Sequence, residues 1–242
     1  MLGVAGEPLF FCDWLRAVFI HYEVQPDTLQ REVPFPLDFH EGRAYLSLVA
    51  FTMRDMRPRF GGRLTAALLR PVATHGFLNA RAYVKHRGEP GIYFLAEWLP
   101  NRLSLLLGPP AFGLPYRHGM LEYQHEHEKG ILQGTVAARN NSLRLEYSAE
   151  MDPHESFCPC EAGSRDEFLM ERYTAFTAND FCKRKFRIWH PPWPQRPIAI
   201  QIRDNSLLLQ SWPWFKDARM VGANYSPGFR DVWMGRPQRL HA

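Results

Sequence analysis

Lysine is scarce in this chain. Only five of its 29 basic residues are lysine, at positions 85, 129, 183, 185 and 216, and the rest are arginine. Chemistry that needs a side-chain amine therefore has few places to occur. Cysteine is sparse too: Cys12, Cys158, Cys160 and Cys182 are too few to staple a fold of 242 residues, so reduced thiols and a cytoplasmic location are expected. No apolar run approaches the ~18 residues of a membrane span. The one N-terminal stretch that could pass for a leader is interrupted by Asp13, Arg16 and Glu23. The net charge is only +4, and no basic run exceeds Lys183-Arg184-Lys185, so neither a membrane nor nucleic acid is an expected partner. Serine-nucleophile motifs, phosphate-binding loops and dinucleotide fingerprints are also missing. What remains is a chain 45% hydrophobic and 14% aromatic, ample for a packed core and incompatible with disorder.

Twenty prolines and seventeen glycines are dispersed along the chain. Without a repeat, a linker or a shift in composition, residues 1–242 read as a single domain. Period-two segments dominate. They include the apolar run Arg43–Met53 and two segments, Asn79–His86 and Gly91–Trp98, joined by a Gly-Glu-Pro-Gly turn as a hairpin. Further strands are expected at Leu121–Glu128, Ile131–Ala138, Ser142–Glu150, Lys185–His190, Ile198–Arg203, Ser206–Gln210 and Met220–Tyr225. Helices are few. Ser164–Thr177 opens with an S-x-x-E capping box and carries Leu169, Tyr173 and Phe176 at helical spacing; Pro26–Glu32 and Asn101–Leu107 are shorter, the latter closed by Gly108-Pro109-Pro110. The sum is a mainly β, antiparallel barrel with two or three short helices.

A series of motifs adds a family resemblance. His21-Tyr22-Glu23-Val24, Val49-Ala50-Phe51, Asn79-Ala80-Arg81-Ala82-Tyr83-Val84 and Gly91-Ile92-Tyr93-Phe94 come first. Phe112-Gly113-Leu114-Pro115-Tyr116, Phe168-Leu169-Met170-Glu171-Arg172-Tyr173, His190-Pro191-Pro192-Trp193-Pro194 and Asn224-Tyr225-Ser226-Pro227-Gly228 follow. In this order, from about His21 to Trp233, they resemble the YqjF-like family, a bacterial domain-of-unknown-function group in the acetoacetate decarboxylase-like superfamily. The resemblance implies a β barrel with a central cavity. It also implies a reference point for chemistry, because the superfamily's enzymes form a Schiff base with a lysine that follows a Gly-aromatic-Pro turn, and such an amine must be neutral near pH 7. The comparable stretch here is Phe112-Gly113-Leu114-Pro115, followed by Tyr116 and Arg117. Neither side chain forms an imine. The superfamily's glutamate aligns near Phe77, so decarboxylation is not inherited with the fold.

The candidate ligand-binding residues are Asn79, Arg81, Tyr83, Tyr116, Arg117 and His190. Asn79, Arg81, Tyr83 and Lys85 share one strand face, where Arg81 could clamp a carboxylate and Tyr83 donate to it, provided that the face lines the cavity rather than solvent. Tyr116, Arg117 and His118 follow the turn that holds the reactive lysine elsewhere. His190 heads a stiff proline-rich segment and is a candidate acid or base. Arg172 is expected to pair with a carboxylate such as Glu97, and Lys85 to be solvated. His125 and His127 have metal-ligand spacing on one strand but no third ligand, and Cys158-Pro159-Cys160 beside His154 and Glu161 is a lone C-x-C. No metal or cofactor is expected. The resulting expectation is a pocket for a small anionic or carbonyl-bearing molecule, with the question of catalysis open and a homo-oligomer compatible with the resemblance. The alternative is a non-catalytic binding or protein-interaction protein, for which exposure of Trp212-Pro213-Trp214-Phe215 would speak. A third option makes Lys85 an imine-forming nucleophile.

Overall fold

The computed structural model describes residues 8–138, 142–179 and 181–240. Its strands are β1 (Pro8–Val24), β2 (Ala44–Pro58), β3 (His75–His86), β4 (Glu89–Leu99), β5 (Tyr116–His118), β6 (Met120–Glu126) and β7 (Ile131–Ala137). They continue with β8 (Arg144–Glu150), β9 (Thr174–Ala178), β10 (Lys183–Trp189), β11 (Arg196–Pro197), β12 (Ile200–Asp204), β13 (Arg219–Gly235) and β14 (Gln238–Arg239). The helices are α1 (Pro26–Glu32), α2 (Gly62–Leu69), α3 (Arg102–Phe112), α4 (Arg165–Met170) and α5 (Ser206–Ser211).

The two 17-residue strands β1 and β13 pair antiparallel and anchor the larger sheet, whose order runs β13-β1-β2-β3-β4-β9-β10. β10 then pairs with β13 through Ile188–Met234 and Trp189–Trp233, so the ring of strands returns to its start. Pairing is antiparallel except where β4 meets β9 and the short β5. A second sheet, β12-β8-β7-β6, lies outside the ring. Strand parity sorts the side chains into two cores. Ile20, Leu46, Leu48, Leu78, Ala80 and Ala82 face outward and pack with Leu132, Val136, Leu145 and Tyr147 of the second sheet. Ala17, Phe19, Val49, Phe51, Phe77 and Phe94, one position away in each strand, face inward and meet Phe186, Ile188 and Trp193. The mainly β, largely antiparallel expectation therefore holds, with five helices among the described residues rather than two or three.

Several local expectations are corrected. The capped helix ends at Met170 rather than Thr177. Ser164 Oγ accepts from Glu167 N at 3.1 Å and Glu167 Oε2 accepts from Gly163 N at 2.7 Å, so the N-terminus is as read. Residues 174–178 leave the helix because Thr-Ala-Phe-Thr-Ala supplies the strand bridging β4 and β10. Helix α3 passes through Pro109 and Pro110 instead of stopping before them, and ends at Gly113, whose φ of 74° is a left-handed cap. Ser206–Gln210 is helical, not a strand: leucine-rich SLLLQS favours a helix, and Asp204 Oδ1 accepts from Ser206 N at 2.8 Å at its start. His127 leaves the strand of His125 for a 3₁₀ turn, which removes their shared face. β1 and α2 lie outside the elements read from the pattern.

Candidate functional site

The inward face of β3 carries His75, Phe77, Asn79, Arg81 and Tyr83 at period two. Its partner β4 contributes Ile92 and Phe94 to the same interior, and then parity breaks. Ala80 pairs with Ala96 but Arg81 pairs with Phe94, leaving Leu95 as a bulge. Past the bulge, inward residues fall on odd numbers, so Glu97 turns into the barrel opposite Asn79. β5 adds the third wall. Its backbone lies parallel to β4, with Glu97 facing Tyr116 across the pair. Helix α3 lies tight against the Tyr116 ring: a Cβ on Gly108 would sit 2.1 Å from ring carbon Cε2, so only glycine permits this approach.

These elements enclose a cavity of about 220 Å³. Most of its wall is hydrocarbon and aromatic, with Trp14, Phe51, Met53, Phe77, Phe94, Phe112 and Trp193 among the contributors. The polar groups on it are few: Asn79, Arg81, Glu97, Tyr116, His75 with Ser104, His190 and Arg172. Three of them present buried atoms without a hydrogen-bond partner, namely Asn79 Oδ1, Arg81 Nε and Glu97 Oε2. Such orphans are costly in an interior and mark places where a ligand or water belongs. Arg81 is 6% exposed. Its Nη2 donates to the Leu169 carbonyl at 2.8 Å, and no carboxylate among the described residues forms an ion pair with it. Arg172, by contrast, is neutralised by Asp38 at 2.7 Å, not by Glu97.

Burial sets the protonation of the remaining groups. Desolvation pushes Glu97 up to about 8, so it is a neutral acid at pH 7. Tyr116 is held well above the usual phenol range by burial and then by the neighbouring Glu97. Burial, with a smaller contribution from Arg81, lowers His190 to about 4. Neutral His190 donates from Nδ1 to the Pro191 carbonyl at 2.7 Å, which leaves Nε2 bare, and its ring packs among Trp14, Tyr173, Trp193 and Phe229. His75, at the other end of the wall, is within 3.2 Å of Ser104 Oγ and also lowered by burial.

The structure thus brings Asn79, Arg81, Tyr116 and His190 to one cavity. Tyr83 is buried behind Arg81, with its hydroxyl between the Leu169 carbonyl and Ser47 rather than on the cavity wall. Arg117 points the other way from Tyr116, as its neighbour on a strand must, and its guanidinium lies 5.4 and 5.6 Å from the Trp98 and Trp212 rings. Lys85 is half exposed and binds Asp38 at 3.2 Å, away from the cavity, and no lysine is among the residues lining it. Trp212 and Phe215 are buried, so the Trp-Pro-Trp-Phe stretch belongs mainly to the core. Pattern reading gave Glu97 only as a partner for Arg172, not as a cavity residue, and missed His75. The signal for Glu97 was a lone acid inside the otherwise apolar Ile92–Leu99.

No group of three or more potential metal ligands occurs among the described residues. His125 is occupied by the Arg16 carbonyl and Tyr147, and Cys160 contacts Met170. No helix among the described residues is long and apolar enough to cross a membrane.

Comparison with solved structures places the fold among acetoacetate decarboxylase-like proteins. The acetoacetate decarboxylase of Legionella pneumophila superposes with a TM-score of 0.67 at 15% identity, covering 98% of this chain and 88% of that one. An acetoacetate decarboxylase-like enzyme from Sphingomonas wittichii RW1 gives 0.65 at 17% identity, covering 97% and 94%. The enduracididine biosynthesis enzyme MppR, in complex with pyruvate, gives 0.65 at 14% identity, covering 98% and 92%. In sequence, the uncharacterized protein YqjF of Bacillus subtilis is 28% identical over 196 residues, 80% of this chain and 78% of that protein. Residues 12–228 match the uncharacterized conserved protein family DUF2071, and the chain belongs to that family.

Proposed function

We propose that the barrel cavity binds a small organic anion, a carboxylate or a carbonyl-bearing acid, with Arg81 as its anchor. The observation that carries this reading is the buried guanidinium without a counter-charge. A permanent cation in a hydrocarbon-lined space is expensive unless something neutralises it, and its unused Nε–H together with an Nη–H suits a bidentate carboxylate. Neutral Glu97 supplies a further hydrogen bond to a carbonyl or carboxylate oxygen, and the unpartnered Asn79 Oδ1 accepts one from a ligand hydroxyl. Glu97 is also the group best suited to move a proton, since a carboxyl titrating near pH 8 is a competent acid under neutral conditions. A Schiff-base route is disfavoured, because Tyr116 and Arg117 follow the Gly113-Leu114-Pro115 turn and the cavity wall carries no lysine. Four unpaired cysteines support the cytoplasm as the proposed location.

Calorimetric titration of the intact chain with a panel of monocarboxylates and keto acids tests the reading. Binding by the native protein and its loss in Arg81→Met is the expected result. Equal affinity in both proteins would remove the anchor.

One observation favours a second reading, a non-catalytic interaction protein. Leu64, Leu68, Leu103 and Leu106 are exposed on α2 and α3, the helices that flank the cavity mouth. Self-association or partner capture that Leu68→Asp abolishes, together with failure of every acid to bind, would favour it.

A further inference from the structure

The cavity is polarised along its length. At its closed end Arg81, Arg172, Met170, His190 and Trp193 are all buried. At the other end the wall is formed by Leu107 and Ala111 of α3, both exposed, and by half-buried Met56 and Leu69. His75, hydrogen-bonded to Ser104 of the same helix, marks this mouth on β3. Six residue steps along the strand lead from His75 to Arg81 on one face, a run of roughly 20 Å at about 3.3 Å per residue. The unpaired cation therefore sits at the bottom of a long slot rather than in a compact polar site.

Between the two ends the wall offers almost nothing for water to bond. Phe51, Met53, Phe77, Phe94 and Phe112 supply hydrocarbon, while the partnerless polar atoms of Asn79 and Glu97 belong to the Arg81 side of the slot. The aromatic stretch of the wall gives water no partners, and apolar space of that kind takes apolar guests in preference to water. A short polar acid held by Arg81 would leave most of the aromatic surface uncovered.

We infer that the ligand is amphiphilic: a monocarboxylate whose aliphatic or arylalkyl tail of medium length runs from the anchored head at Arg81 back along the apolar slot toward Leu107. This rests on the anion-binding reading above and narrows it to a substrate class. The carboxylate neutralises the guanidinium, and the tail replaces void with contact along Phe77 and Phe94.

Titration of the intact chain at pH 7 with linear acids from acetate to decanoate tests it, with octanol as the uncharged control and pyruvate as the short keto acid. The expected result is affinity rising about fourfold per methylene, the ratio given by about 0.8 kcal/mol per buried CH₂. The rise levels off once the chain emerges at the mouth, and pyruvate binds more weakly than hexanoate. A flat ladder, with acetate or pyruvate binding as tightly as octanoate, would overturn the apolar-tail inference and leave the anion anchor intact. Failure of every acid, or octanol equalling octanoate, would bring down the anchor itself and the inference with it.

Discussion

Arg81 Nη2 and Tyr83 Oη both lie 2.8 Å from a single acceptor, the carbonyl oxygen of Leu169. Arg81 always brings a proton to that oxygen, whereas the Tyr83 hydroxyl can turn either to it or to Ser47 Oγ, 2.5 Å away. The carbonyl is consequently not orphaned when Arg81 is replaced. Arg81→Met removes a buried charge that lacks a partner ion and fills the space with hydrocarbon. An unpaired charge is costly to bury, so this exchange is expected to be neutral or stabilising. Urea denaturation of the ligand-free variant should show stability equal to or above the native value, while carboxylate binding is lost. A loss of 2 kcal/mol or more would mean that the guanidinium is a structural strut.

The same hydroxyl ends a buried chain that starts at Asn224. Asn224 Nδ2 donates to Asp166 Oδ2 at 2.9 Å and Gln195 Oε1 at 2.7 Å, which turns Oδ1 to His21 Nε2 at 3.1 Å. His21 Nδ1 is 2.6 Å from Ser47 Oγ. Burial, and after it the charge of Arg81, lowers His21 to about 3, so the ring is neutral and carries one proton. Three protons, from His21, Ser47 and Tyr83, must then serve four contacts between Asn224 and Leu169. With Arg81 already satisfying the Leu169 carbonyl, the cheapest gap is at that end. His21 is therefore expected as the Nε2–H tautomer, which nitrogen-15 spectra of histidine-labelled protein read directly. In Arg81→Met the gap should move to Asn224 and the population shift toward Nδ1–H. An unchanged tautomer would disconnect His21 from Arg81.

The sequence made part of this visible and hid the rest for identifiable reasons. Alternation along Asn79–His86 placed Asn79 and Arg81 on one face because β3 is regular from His75 to His86. Glu97 was hidden because the bulge at Leu95 reverses parity, and strict alternation from Phe94 would have sent it outward. Tyr116 and Arg117 looked equivalent after the Leu114-Pro115 turn, yet a strand can send only one of two neighbours inward. The Leu169-Tyr173-Phe176 spacing suited a helix, but ring closure required 174–178 as a strand between β4 and β10, a demand that local pattern does not express.

Asp38 holds two cations of unequal importance. Arg172 is buried against it at 2.7 Å, whereas Lys85, at 3.2 Å, is half exposed. Asp38→Asn leaves Arg172 a buried charge without its ion partner, for which a loss of about 3–5 kcal/mol is usual. Lys85→Met removes a screened surface pair worth at most about 1 kcal/mol. Denaturation of the two variants should separate by that margin. Comparable losses would show that Arg172 has another partner in solution.

Glu97 gives the protein a distinctive response to mild alkali. The folded carboxyl keeps its proton up to about 8, whereas the unfolded chain releases it near 4.5, so between those values the folded state binds more protons and rising pH favours unfolding. Buried histidines act in the opposite sense: His21 and His190, lowered to about 3 and 4, make stability rise with pH until their ordinary value of 6.5 is passed. From 6.5 to 8 the Glu97 effect is left unopposed by them. One proton over that interval, at about 1.4 kcal/mol per pH unit, amounts to roughly 2 kcal/mol. Cys12, whose thiol burial pushes up to about 12, adds the same sign only above its ordinary 9 and stays outside the window. Denaturation profiles from pH 6 to 8.5 should show the native protein losing that amount and Glu97→Gln remaining nearly level, with the two curves diverging as pH rises. If the curves run parallel, Glu97 is already ionised at neutral pH, and its role as a proton-bearing group on the cavity wall is excluded.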